Sequence, residues 1–250
     1  MTRKLLEISG NDRRDFLQGL ITSNINKLAD GLIYAALLTP QGKFLTDFFL
    51  FERGETIIID APNVTAAALI SRLNMFKLRA DVAIAASDLQ VYRGTGPMPQ
   101  TAMADPRHTA MGWRLYGDKT GDDASDWDAI RVTHCIPETG IELIPNDSYI
   151  LEAGFERLNG VDFKKGCYVG QEVVARMKHK TTLRKGLVTV DINGTAPIGT
   201  PITSDGKPAG TLFTQAGGKA IAYLRFDRAK GELLAGGVLM NRLSNNDKPA

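Results

Sequence analysis

The stretch Phe163-Lys164-Lys165-Gly166-Cys167-Tyr168-Val169-Gly170-Gln171-Glu172 sets one cysteine between two glycines, behind two lysines and ahead of a helix-compatible run, Gln171–Lys178. Nearby positive charge and a helix N-terminus both stabilise a thiolate, so Cys167 is a candidate functional thiol with Lys165 as its support. Gly166 and Gly170 leave space for a ligand or a second chain segment to approach the backbone. A buried cysteine in a tight loop satisfies the same pattern. Between Lys164 and Lys185 stand seven Lys or Arg and one acid, Glu172, a local charge of +6. Such a patch at 164–185 can draw a polyanion, either a polyglutamylated cofactor or RNA. It can equally be a solvated helix face beside a lysine-guarded strand edge. Aromatic interleaving, which base stacking needs, is missing.

N-terminal to this stretch, helix and strand signals alternate. Asn11-Asp12 opens a helix carrying Phe16, Leu17, Leu20 and Ile21. Leu32–Thr39 and Phe44–Phe51 read as strands joined by the turn Pro40-Gln41-Gly42-Lys43, and Thr56–Asp60 as a third strand. A helix from Pro62-Asn63 to about Phe76 and a strand at Ala80–Ala85 follow, giving α+β order with antiparallel pairing. Gly94–Pro99 is a loop, and the aspartate-rich segment Gly117–Asp128 reads as a solvated turn, since it lacks the ligand alternation of a calcium loop. Beyond Leu183 the pattern is all-β, with strands expected at Gly186–Ile192, Ile198–Thr203, Pro208–Thr214, Lys219–Arg225 and Val238–Leu243. Asp205-Gly206 is a hairpin signal, and the set suits a small barrel.

The 250 residues suit one large or two modest domains, with 43% hydrophobic and 23% charged residues typical of a globular chain. Thirty basic against twenty-eight acidic side chains leave +2, too balanced for a protein coated in nucleic acid. Two cysteines, Cys135 and Cys167, can build neither a disulfide scaffold nor a four-thiolate cluster site within one chain. The best apolar run, Leu32–Leu38, is too short to span a bilayer, and the opening residues lack a signal-peptide core, so a cytoplasmic protein is expected. Gly42-Lys43 and Gly218-Lys219 fail the phosphate-loop pattern, and neither a nucleophile elbow nor a zinc-protease motif occurs. His134, Cys135 and Cys167 lack the close ligand pairs of a zinc site, so no metal is expected.

The run Lys165–Glu172, continued to Arg176-Met177, resembles the signature of the YgfZ-type folate-binding proteins of iron–sulfur cluster biogenesis, relatives of the glycine-cleavage T-protein. Phe16–Thr22, Leu38–Lys43, Asp105-Pro106-Arg107, Gly112-Trp113-Arg114, Gly210-Thr211 and Ala220–Tyr223 are similar to the same family, so the resemblance spans essentially the whole chain. It implies a three-domain ring, with α+β parts at 1–88 and 89–182 and a C-terminal β-barrel at 183–250, around a site for tetrahydrofolate. Leu151-Glu152-Ala153-Gly154 resembles the T-protein segment whose glutamate holds the pterin, and a carboxylate can accept parallel hydrogen bonds from that ring. Asp47, Glu172 and Gly170 are further cofactor candidates. T-proteins carry an aspartate pair where this chain has Thr46-Asp47, which argues against a true aminomethyltransferase. The implied role is an accessory protein for iron–sulfur enzymes that binds folate and uses Cys167, with assembly proteins or client enzymes as partners. A folate-dependent aminomethyl- or methyltransferase and an RNA-associated factor are the alternatives.

Overall fold

The computed structural model describes residues 2–180 and 182–242. Its first sheet is antiparallel throughout, with strands in the order β2 (Ile33–Leu38), β3 (Phe44–Arg53), β4 (Thr56–Pro62), β1 (Arg3–Ser9) and β5 (Ala83–Ala86). All six residues of β2 are buried, which accounts for the uninterrupted apolar run seen in the sequence. The sheet is covered on both faces. Ala35, Leu37, Phe48 and Leu50 pack with Leu17 of helix α1 (Arg13–Gln18), the 20–28 segment, and Leu69 and Leu73 of helix α2 (Asn63–Lys77). Tyr34, Ala36, Leu38, Phe44 and Phe49 face the other way, against Leu143, Ile150, Phe155, Leu158 and Tyr168.

A second, smaller sheet pairs β7 (Met103–Ala104), β8 (Trp113–Gly117), β6 (Gln90–Gly94) and β9 (Gly121–Asp122). Leu5, Phe51 and Ile58 of the first sheet meet Val91, Met103 and Tyr116 of the second. The aspartate-rich segment is therefore more than a solvated turn. Its β9 lies parallel to β6, and the Asp123 carboxylate accepts from Thr95 N at 2.7 Å, fastening the 94–99 loop. Helix α3 (Trp127–Thr133) starts behind Asp126, whose side chain caps Ala129 N at 3.0 Å.

From 134 to 170 the chain has neither helix nor strand beyond isolated bridges, yet it is held firmly, with Phe155 and Leu158 fully buried. Helix α4 (Gln171–Lys180) then leads to a closed barrel of β10 (Lys185–Ile192), β13 (Lys219–Arg225), β12 (Lys207–Ala216), β11 (Pro201–Ser204), β14 (Leu233–Ala235) and β15 (Val238–Arg242). Closure leaves no sheet edge unpaired. The barrel interior is filled by Val188, Val190, Ile202, Leu212, Leu224 and Met240. The strand expected from Ile198 starts at Pro201, because Gly199 at φ +87° turns the chain first. Leu243, the expected end of the last strand, lies outside the described residues. No described helix is long and apolar enough to cross a membrane.

Candidate functional site

The Cys167 loop is fastened to the rest of the chain at two points. Lys165 is buried, and its ammonium donates to Gln18 O, at the end of α1, at 2.7 Å and to Ile21 O, just beyond it, at 2.5 Å. Burial pulls its pKa down to about 8, against the opposing pull of Asp162. Lys165 thus supports the loop from beneath, as an anchor to the first third of the chain. The second fastening is Gly170, at φ +85°, where an added Cβ would stand 2.5 Å from Thr39 O. Across the contact Gly42, at φ +73°, has its own hypothetical Cβ 2.8 Å from Val173. The turn Pro40–Lys43 and the start of α4 therefore interlock through two glycines, each needing both the left-handed backbone and the missing side chain. Between the fastenings Gly166 and Cys167 are exposed, so the thiol is presented at the surface.

Glu152 sits at a junction of three parts of the fold. Lys43, from the β2–β3 turn, donates to Asp147 O at 2.6 Å and lies 3.8 Å over the Tyr149 ring. Glu152 itself is 9% exposed, its Oε2 accepts from the Tyr223 hydroxyl of β13 at 2.5 Å, and its backbone oxygen accepts from Leu187 N of β10 at 2.8 Å. Burial and this bond raise the Tyr223 pKa well above its ordinary value. Glu142, Glu152, Tyr149, Phe213, Tyr223 and Lys185 are among the residues around a cavity of about 240 Å³.

Asp47 faces a different and larger cavity, of about 580 Å³. It is buried, and its carboxylate accepts from the hydroxyls of Tyr34, at 2.9 Å, and Thr139. The walls carry an ordered set of charges. Asp105 accepts from Arg107 at 2.8 Å and Arg114 at 3.1 Å, while Asp60 accepts from Arg114 at 3.1 Å, Arg3 at 2.6 Å and the Tyr116 hydroxyl at 2.9 Å. Burial would raise the Asp105 pKa, but Arg107 and Arg114 hold it at about 2. Arg93 reaches the same cavity above the Trp127 ring at 3.9 Å, its pKa lowered to about 10 by burial and the neighbouring Arg114. The two cavities share a partition. Arg131 lines the larger and Glu142 the smaller, and they meet in a buried ion pair of 2.5 Å. Glu142 also accepts from Thr214 Oγ1 of β12 at 2.5 Å, tying this partition to the barrel.

The expected site residues are therefore distributed over three places. Asp47 and Glu152 line separate cavities, and Cys167 lines neither of these two. Glu172 also lines neither; its side chain is 86% exposed and pairs with Arg176 at 3.1 Å. Gly170 serves packing. The Thr46 hydroxyl points to the opposite face of β3 from Asp47, 2.6 Å from Thr65 of α2, so the missing second aspartate does not alter the lining of the Asp47 cavity. The basic window divides as well. Lys165 turns inward, Lys178 pairs with Glu156, Arg176 with Glu172, and Lys185 borders the Glu152 cavity. Among the described residues no group of three or more His, Cys, Asp or Glu is placed to hold a metal ion. Sequence reasoning missed Lys43, Arg93, Arg131, Thr139 and Tyr223. Asp105-Pro106-Arg107 and Gly112-Trp113-Arg114 were its only trace of the buried charge network.

Residues 184–244, which include all six barrel strands, match the family model described as CAF17, C-terminal beta-barrel domain. Over 278 aligned residues the chain is 29% identical to the mitochondrial iron–sulfur cluster assembly factor IBA57 of Mus musculus, covering 92% of this chain and 78% of that one. The human IBA57 gives 29% identity with the same coverages. The chain is similar to these IBA57 factors over nearly its whole length. The Neurospora crassa IBA57 homologue is 30% identical over 75% of this chain, which spans about half, 51%, of that protein. Among solved structures, glycine cleavage system aminomethyltransferase T from Bartonella henselae matches with a TM-score of 0.76, covering 95% of this chain and 81% of that one. At 13% identity the likeness is one of fold, and the fold is T-protein-like, α+β with a closed C-terminal barrel. A cytoplasmic location does not stand, because these IBA57 relatives are mitochondrial. Hydropathy reports membrane crossing and export signals; it does not read an organelle address.

Proposed function

We propose that this chain binds tetrahydrofolate and supports the assembly, repair or maintenance of iron–sulfur enzymes, with Cys167 as its functional thiol and assembly proteins or client enzymes as its partners. The observation that carries this reading is the exposed Cys167, held between the Lys165 anchor and the Gly170–Gly42 interlock in a chain similar to iron–sulfur cluster assembly factors. A thiol so held can reach an iron atom of a cluster still ligated by a partner. Two cysteines per chain are too few to hold a four-thiolate cluster unaided, so a shared, transient ligand is the use that fits them.

The residues around Glu152 fit the pterin end of a folate. Its Oε2 already takes the Tyr223 hydroxyl, but each carboxylate oxygen accepts more than one hydrogen bond, so the group can still receive a ring N–H and an amino N–H. Tyr149, Phe213 and Tyr223 give the cavity aromatic walls. At about 240 Å³ it suits a ring system, whereas the Asp47 cavity of about 580 Å³ falls in the ordinary range of small-molecule sites. Bound tetrahydrofolate would supply one-carbon chemistry. The chain's own part is to orient the ring through Glu152 and to fix the Asp47 side chain at the larger cavity through Tyr34 and Thr139. The test is calorimetric titration of tetrahydrofolate into the wild type and Glu152→Ala. The variant should bind at least tenfold more weakly, about 1.4 kcal/mol. Equal affinity removes Glu152 from the site, and no binding to the wild type removes folate.

A further inference from the structure

Helix α2 covers one face of the first sheet through Thr65, Ala66, Leu69 and Leu73, all buried. At 100° per residue these four positions fall in one arc of the helix. Val64, Ala67, Ala68, Ser71 and Met75 fall in the opposite arc, and all five are exposed. Val64 is 68% and Met75 53% exposed, and Leu78, just past the helix end, is 87% exposed. An ordinary surface helix puts charged and polar residues there. Here the outward stripe runs the ~22 Å length of the helix without a charge on it. Its middle is built of small side chains and its ends of large ones, so the backbone of another helix can come close at the middle.

We infer that the outward face of α2 is a docking surface for a protein partner that presents an apolar helical ridge bordered by Asp and Glu. The sign of the border comes from the charges beside the stripe. Arg72 flanks the stripe along the helix and Arg79 follows its end, and residues 63–80 contain no acid. A second copy of this chain would bring the same cations to the same face, with nothing on its own α2 to neutralise them. An anionic membrane offers the right charge, but an interfacial helix carries bulky side chains along its apolar face, and Ala67, Ala68 and Ser71 give little to insert. An acidic helix satisfies both the shape and the charge. The surface uses neither cavity nor Cys167, so it stands or falls independently of the folate and thiol assignments.

The experiment uses the full chain and a fluorescein-labelled, 18-residue helical peptide with leucines along one face and glutamates on its flanks, against a matched peptide with lysines replacing the glutamates. Fluorescence anisotropy should show the acidic peptide binding at least tenfold more tightly than the basic one. Ala68→Glu and Leu78→Asp, both at exposed positions, should each weaken the acidic peptide at least tenfold while the circular dichroism spectrum and Tm stay unchanged. Equal binding of the two peptides, or unaltered binding by both variants, overturns the inference. So does sedimentation equilibrium showing a dimer of the wild type that Ala68→Glu dissociates, which assigns the face to a second copy. Co-sedimentation with phosphatidylglycerol vesicles that Leu78→Asp abolishes would overturn it in favour of a membrane.

Discussion

Two glycines flank Cys167, and replacing each with alanine should have very unequal consequences. At Gly170 the backbone lies at φ +85°, a region that costs a residue with a Cβ roughly 1–2 kcal/mol. The new methyl would also stand 2.5 Å from Thr39 O, 3.1 Å from Leu38 Cβ and 3.2 Å from Gly42 Cα. The first of these is a backbone carbonyl inside the β2–β3 turn and cannot swing aside as a side chain would, so overpacking of this kind adds roughly 1–3 kcal/mol. Alanine restricts the unfolded chain and returns about 0.5–1 kcal/mol. The net expectation for Gly170→Ala is a loss of about 2–3 kcal/mol. At Gly166 nothing lies within 4 Å of the added methyl and the backbone is not left-handed, so Gly166→Ala should stay within about 0.5 kcal/mol of the wild type. Urea unfolding followed by circular dichroism, with m-values compared to check that the unfolded states match, reads both numbers. A Gly166→Ala loss as large as that of Gly170→Ala, or a Gly170→Ala loss below about 0.5 kcal/mol, would refute the interlock.

Two further expectations concern charges held inside the fold. Burial depresses the Lys165 pKa from 10.5 to about 8, so between these pH values the unfolded chain holds a proton that the folded chain has released. Stability of the wild type relative to Lys165→Met should therefore rise with pH across that window, by at most roughly 3 kcal/mol at 1.36 kcal/mol per unit; a difference that stays flat from pH 8 to 10.5 would contradict the assignment. Arg131→Met strands the buried Glu142 carboxylate and should cost roughly 3–5 kcal/mol, whereas Arg131→Met with Glu142→Leu should recover much of that loss in the same denaturation assay.

The elements that could be read from sequence are those whose burial is uniform or whose turns are chemically marked. The apolar run at Leu32–Leu38, the turn Pro40–Lys43 and the Asp205-Gly206 hairpin appear in the structure as expected. The second sheet was not legible, because β7 and β9 are two residues each and too short to carry any periodicity. The segment 134–170 offered no pattern either, since its order comes from long-range contacts such as Lys165 to Gln18 and Thr139 to Asp47, 147 and 92 residues apart. The site followed the same division. Cys167 and Glu152 stood out by residue type and setting, but the inward direction of Lys165 and the outward direction of Glu172 are decided by packing that local spacing does not encode. Thr46 shows the converse error: adjacent positions on a strand face opposite ways, so a substitution next to Asp47 in sequence is remote from it in chemistry.

The exposed thiol of Cys167 is assigned the work for which its loop is clamped. Activities of iron–sulfur enzymes, measured in cells whose only copy of this protein carries Cys167→Ser or Cys167→Ala at matched protein levels, put that assignment to the test. Both variants should lower those activities while the purified proteins keep wild-type stability, because the side chain is exposed. Full enzyme activity with both variants would rule out a role for the thiol.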